Sequence, residues 1–103
     1  MITMKQHDTI PQLSVTLSDD GQVVDVSVAT TIKVIAVRAG TPVFSRTVSG
    51  TSLGVVTMDW QPADTAVPGI LELEIEVDWP AASAVQTFPA SGRLRVNIEP
   101  DLG

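Results

Sequence analysis

From Gly69 to Trp79 apolar and acidic residues alternate without a break. Leu71, Leu73, Ile75, Val77 and Trp79 fall on one parity, and Glu72, Glu74, Glu76 and Asp78 on the other. Successive strand side chains point to opposite faces, so this segment predicts a long strand with one apolar wall and one acidic wall. Val56, Met58 and Trp60 alternate in the same way just upstream. Between the two runs, Gln61 to Gly69 holds two prolines and a closing glycine, which predicts a rigid polar loop without regular structure. Trp60 and Trp79 carry the inward parity of their strands, and the core is their expected place. At a strand end beside Pro62 or Pro80, either ring would instead anchor an interface.

The rest of the chain reads as further short strands. Residues 1–11 are polar and irregular, an N-terminal arm leading into a strand in which Leu13, Val15 and Leu17 alternate with Ser14, Thr16 and Ser18. Asp19–Asp20–Gly21 signals a tight turn. A strand from Val23 to Val28 follows, interrupted by Asp25, and then one from Ile32 to Arg38. The latter is apolar on both faces: Ile32, Val34 and Ala36 on one, Ile35 and Val37 beside Lys33 on the other. Such a strand is either central and covered twice, or its second face meets a partner. Turns at Ala39–Pro42 and Ser49–Ser52 bracket a strand from Val43 to Val48. Pro80–Ala81–Ala82–Ser83 makes a hairpin-like connection to a short strand ending at Phe88. Pro89 to Gly92 is a turn, and Arg93 to Glu99 the last strand. Seven or eight strands with frequent turn signals predict an all-β chain, an immunoglobulin-like antiparallel β-sandwich, with a small barrel as the alternative.

Composition narrows the possibilities. At 103 residues the chain is expected to be a single domain, residues 1–103, and 44% hydrophobic content is enough for a core. Cysteine is absent, so burial must hold the fold without disulfides or thiolate-bound metal. A net charge of −6 argues against nucleic acid or an anionic membrane as partner. The N-terminus lacks a signal-like apolar run, and no segment approaches the ~18 apolar residues of a membrane span.

Candidate chemistry is sparse. The row Glu72, Glu74, Glu76 and Asp78 is either a docking face for a basic partner or weak cation site, or a solvated face balanced by Arg93 and Arg95 on a later strand. Its flat geometry does not converge on an ion as calcium ligands do. His7 has no second histidine to work with and reads as an exposed arm residue. Asp19–Asp20–Gly21 is explained by turn chemistry. The serines lack a nucleophile-elbow motif, and Gly50 and Gly54 lack the lysine of a phosphate loop. No catalytic residue, metal site or cofactor is expected. The candidate partner interface is instead Lys33, Ile35 and Val37 on the second strand face, with the arm and the loop residues Gln61, Pro62, Asp64, Thr65 and Pro68.

One resemblance extends over nearly the whole chain. Trp60–Gln61–Pro62, Asp64–Thr65, Pro68–Gly69, Glu74 and Glu76–Val77 are followed by Thr87–Phe88–Pro89, Gly92, Val96 and Pro100–Asp101–Leu102. In that order and spacing they resemble the N-terminal domain of phage baseplate upper proteins. Leu13 to Leu17, Asp20–Gly21 and Val24–Asp25–Val26 fit it too. The resemblance implies a non-enzymatic virion structural module, assembled in the host cytoplasm and present in many copies. Its partners would be other virion proteins of the tail, baseplate or neck, or the major capsid protein. Members of the family usually continue into a region that carries receptor-binding proteins. A chain ending at Gly103 directs the expectation toward a freestanding tail, neck or capsid-surface component. The family commonly has Asp-Gly where this chain has the Pro80–Ser83 turn. A carbohydrate- or cell-surface-binding module is the reading from another class. The exposure of Trp60 and Trp79 discriminates the two, since sugar rings stack on exposed aromatics.

Overall fold

A computed structural model describes residues 2–80, 84–89 and 92–101. The strands, in chain order, are β1 (Ile2–Lys5), β2 (Leu13–Thr16), β3 (Ser18–Asp19), β4 (Gln22–Val23), β5 (Thr31–Arg38) and β6 (Thr41–Gly50). They continue with β7 (Val55–Met58), β8 (Gly69–Asp78), β9 (Val85–Phe88) and β10 (Leu94–Glu99). All but β3 and β4 join one curled, mixed sheet in the order β1-β10-β8-β5-β6-β7-β2, with β9 also paired to β8. The all-β class expected from the alternation is therefore what the chain adopts.

The sheet is organised around β5 and β8. Their antiparallel register runs from Thr31 opposite Asp78 to Val37 opposite Glu72. It sets Ile32, Val34 and Ala36 beside Val77, Ile75 and Leu73, all buried. β6 continues the sheet and then turns the corner. Its residues 41–48 pair with β5, whereas Ser49 and Gly50 pair with β7. A bulge between Ala36 and Val37 sharpens the local twist. Gly50 sits at the crossing, where any Cβ would run into Val26 and Ile32. This strand carries the chain from pairing with β5 to pairing with β7, where the sheet curls. Leu13, Val56 and Met58 from β2 and β7 thereby enter the same core as Leu71, Val96 and Ile98 from β8 and β10.

β9 and β10 are two lengths of one strand. Phe88 lies opposite Ile75 and Leu94 opposite Leu73, so only Glu74 of β8 separates the two pairings.

Three expectations are corrected. The N-terminal arm is not irregular throughout: Ile2 to Lys5 pair in parallel with Val96 to Glu99, and Met4 is buried. Ile2, which stays exposed, and the buried Met4 share the parity of Val96 and Ile98, a signal too short to separate from a polar tail. The strand expected from Val23 to Val28 is confined to Gln22–Val23. Asp25 ends it by accepting hydrogen bonds from both the backbone N–H and the hydroxyl of Ser27, closing a local turn that competes with a ladder. The loop after Trp60 contains one 3-10 turn, Pro62–Thr65, with proline at its start where no N–H is needed. Asp20 and Gly21, both at positive φ, form the expected two-residue hairpin between β3 and β4. Most of the connection expected at Pro80–Ser83, and part of the turn at Pro89–Gly92, lies outside the described residues.

Two glycines at positive φ separate strain from crowding. Gly21 has open space around it, whereas a Cβ on Gly54 would lie 2.8 Å from the Leu17 carbonyl oxygen and 2.9 Å from that of Val24. Gly21→Ala is expected to cost about 1 kcal/mol, from the left-handed backbone alone. Gly54→Ala should cost clearly more, about 3 kcal/mol, because backbone must also move. Urea denaturation of the two variants side by side checks the order; equal midpoints would contradict it.

Candidate functional site

Two features stand out from the solvated remainder: the outer face of the β1-β10-β8-β5 region, and a charged lock that fastens the Gln61–Gly69 loop.

On the outer face, Lys33, Ile35 and Val37 are half-buried, in alternation with the buried inner row of β5. β5 is central in the hydrogen-bonding direction, between β6 and β8. Its second face is nevertheless open, which decides between the two readings of its double apolarity in favour of a face without cover from its own chain. Ile35 stands opposite Glu74 and Ser45, and Val37 opposite Glu72 and Pro42. Glu72, Glu74, Glu76 and Asp78 form the expected outward row, each half-buried.

Arg93 reaches into that row. Its Nε donates to Glu74 Oε1 at 3.0 Å, and its Nη1 lies 3.9 Å from Glu72 Oε1. Arg95 is the cross-strand neighbour of Glu72, and Lys33 of Glu76. Lys5 and Glu99 pair at 3.8 Å further along the same face. The carboxylates are thus interleaved with cations, as the solvated reading of the row requires. Exposed pairs of this kind contribute little to stability individually, so their layout bears on recognition more than on folding.

The loop is different from expectation. Gln61, Pro62 and Pro68 are exposed, but Asp64 is 5% exposed and Thr65 fully buried, so these two are not available to a partner. Asp64 receives Arg46 in a two-pronged pair, Nη1 to Oδ2 at 2.6 Å and Nη2 to Oδ1 at 3.0 Å. Its Oδ2 also accepts the Gln61 backbone N–H at 2.8 Å. The hydrogen bond to Asp64, with its charge added, raises the Arg46 pKa above its ordinary value, although burial pulls the other way. The guanidinium sits 4.5 Å over the Phe44 ring, which meets Trp60 edge-on at 6.5 Å. Thr65 completes the fastening: its hydroxyl donates to the Asp8 carbonyl, and its own carbonyl accepts the His7 N–H. Gln6 Nε2 donates to the Ala66 carbonyl at 2.7 Å. The arm is tethered to the loop, and the His7 side chain is exposed, as expected.

Arg46 is not among the residues that the sequence pattern singles out, although its position carries a signal. It falls between Phe44 and Val48 on the inward parity of β6, opposite Val34. A charged residue at an inward position needs a counter-charge, and Asp64 supplies it across 18 residues of sequence.

Trp60 is buried, as its parity implied. Trp79 is half-buried, and its indole N–H donates to Gln86 Oε1 at 3.1 Å. Among the described residues, no group of three His, Asp or Glu side chains is arranged to hold a metal ion. No protein-family model, no curated protein and no solved structure matches the chain.

Removing one member of the Arg46–Asp64 pair leaves the other poorly solvated. Asp64→Ala is expected to lower stability by about 3 kcal/mol, the low end for a broken buried pair because Arg46 is partly exposed. Adding Arg46→Met to Asp64→Ala should cost less than the two single changes summed. Urea titration of the three variants tests this, and strict additivity would show that the pair is not coupled.

Proposed function

We propose that this chain is a non-enzymatic structural module of a bacteriophage virion, an immunoglobulin-like sandwich that docks on tail, baseplate or neck proteins. Decoration of the head surface is the alternative location for the same module. The observation that carries the reading is the outer face of β5, where Ile35 and Val37 stand half-exposed in the middle of a sheet. Apolar side chains there, at the centre rather than the rim of a face, suit a surface that another protein covers.

The immunoglobulin-like part draws support from connectivity. In that fold strands B, E and D lie in one layer and C, F and G in the other. Here β2, β7 and the end of β6 follow the first order, and β5, β8 and β10 the second. The phage part draws on the ordered resemblance from Trp60 to Asp101. A buried Trp60 and a hydrogen-bonded Trp79 favour a structural module over a carbohydrate binder, which stacks sugars on exposed rings.

Ile35→Asp tests the reading. The variant is expected to keep its β circular-dichroism spectrum and to melt within a few degrees of the parent. It should be lost from purified virions of the phage that encodes it, as counted by mass spectrometry. Incorporation at parental stoichiometry would remove β5 from the interface, and absence of the parent chain from virions would remove the virion role.

A further inference from the structure

The outer face differs from the rest of the molecule in its charge. It holds four of the six basic residues, Lys5, Lys33, Arg93 and Arg95, and five of the twelve acids, Glu72, Glu74, Glu76, Asp78 and Glu99. The face therefore carries −1, and the remaining residues carry −5. Copies of a chain with net charge −6 repel one another, and on this face the acids are nearly balanced by bases.

The charges are also laid out in stripes. β8 contributes acids only, Arg93 and Arg95 lie along β10, and Lys33 lies on β5. From these stripes we infer that the face binds a second copy of this chain, face to face, about a two-fold axis parallel to the strands between β8 and β10. The inference rests on the docking face proposed above and names its occupant. Rotation about such an axis preserves position along the strands and exchanges β8 for β10. Because Glu72 and Arg95 are in register within one chain, Glu72 of each copy then lies over Arg95 of the other. The contact is isologous, so every acid-over-base pair occurs twice.

About this axis β8 lies over β10 and β5 over β1, so the contact is centred on the charged stripes. A basic protein of another kind would leave the arginine stripe opposed by like charge, which a second copy avoids.

A charge exchange tests the inference by sedimentation equilibrium at about 100 µM chain, where a micromolar complex is mostly formed. The parent chain is expected to be dimeric at low ionic strength. Its dissociation constant should rise at least tenfold in 1 M NaCl, where the screening length falls to about 3 Å. Arg95→Glu alone and Glu72→Arg alone should each be monomeric, since each sets like charges opposite one another. An equimolar mixture of the two variants should recover the dimer, because both cross-pairs then have opposite signs. Thermal melts of each variant establish that it is folded, and the salt titration of the parent needs no variant.

A monomeric parent chain, or single variants that dimerise as well as the parent, would overturn the inference. A mixture that stays monomeric would do the same. If the chain is monomeric while Ile35→Asp still abolishes incorporation into virions, the docking face stands and only its occupant is wrong. If the exchange behaves as expected while Ile35→Asp is incorporated normally, self-association stands and the virion reading through β5 falls.

Discussion

The antiparallel register of β5 against β8 is the constraint on which the remaining structure depends. It aligns Ile32, Val34 and Ala36 with Val77, Ile75 and Leu73 on the inside, and Lys33, Ile35 and Val37 with Glu76, Glu74 and Glu72 on the outside. A slip of one residue would turn the acidic row into the core and the leucines into water. Burial of that inner row is the chief stabilising term, since there is no disulfide to assist it. Because one wall is acidic, the register is specified by the cost of wrong burial as much as by the gain from right burial.

A second device fastens the parts that the ladder does not reach. β6 leaves β5 and pairs with β7 at its end, and Arg46 lies just before that change of partner. The Gln61–Gly69 loop, with Trp60 just before it, brings the buried Asp64 and Thr65 to that end. The Arg46–Asp64 pair is directional, so it specifies where the loop sits in a way that apolar contact alone would not. The chain after β1 is held to the same loop through Gln6, His7 and Asp8. Three segments remote in sequence, at β1, β6 and the loop, are thus joined at one end of the molecule.

The proposed role follows from what remains outside. With Asp64 paired to Arg46 and the acids of β8 interleaved with Arg93, the outer face presents nearly balanced charge around Ile35 and Val37. Balanced, striped charge favours one orientation of a partner and opposes others, which is how a multi-copy component would find its register. Function in this reading belongs to a surface and not to a pocket.

Much of the fold was legible in local pattern. The parities of β5, β7, β8 and β10, the Asp20–Gly21 hairpin and the inward place of Trp60 are consequences of a two-residue period and of φ preferences, which neighbours in sequence are enough to express. The outer row of Glu72 to Asp78 and its balance by Arg93 were legible for the same reason. What only the tertiary structure decided were the non-local pairings. Four residues at the N-terminus became β1 because β10 offered them an edge, and Asp25 closed a turn where alternation had suggested a strand. Asp64 and Thr65, polar residues in a proline-bounded loop, went inside because Arg46 and the Asp8 carbonyl were waiting there. A polar side chain is buried when a partner meets it, and the partner's position in space is set by the path of the whole chain.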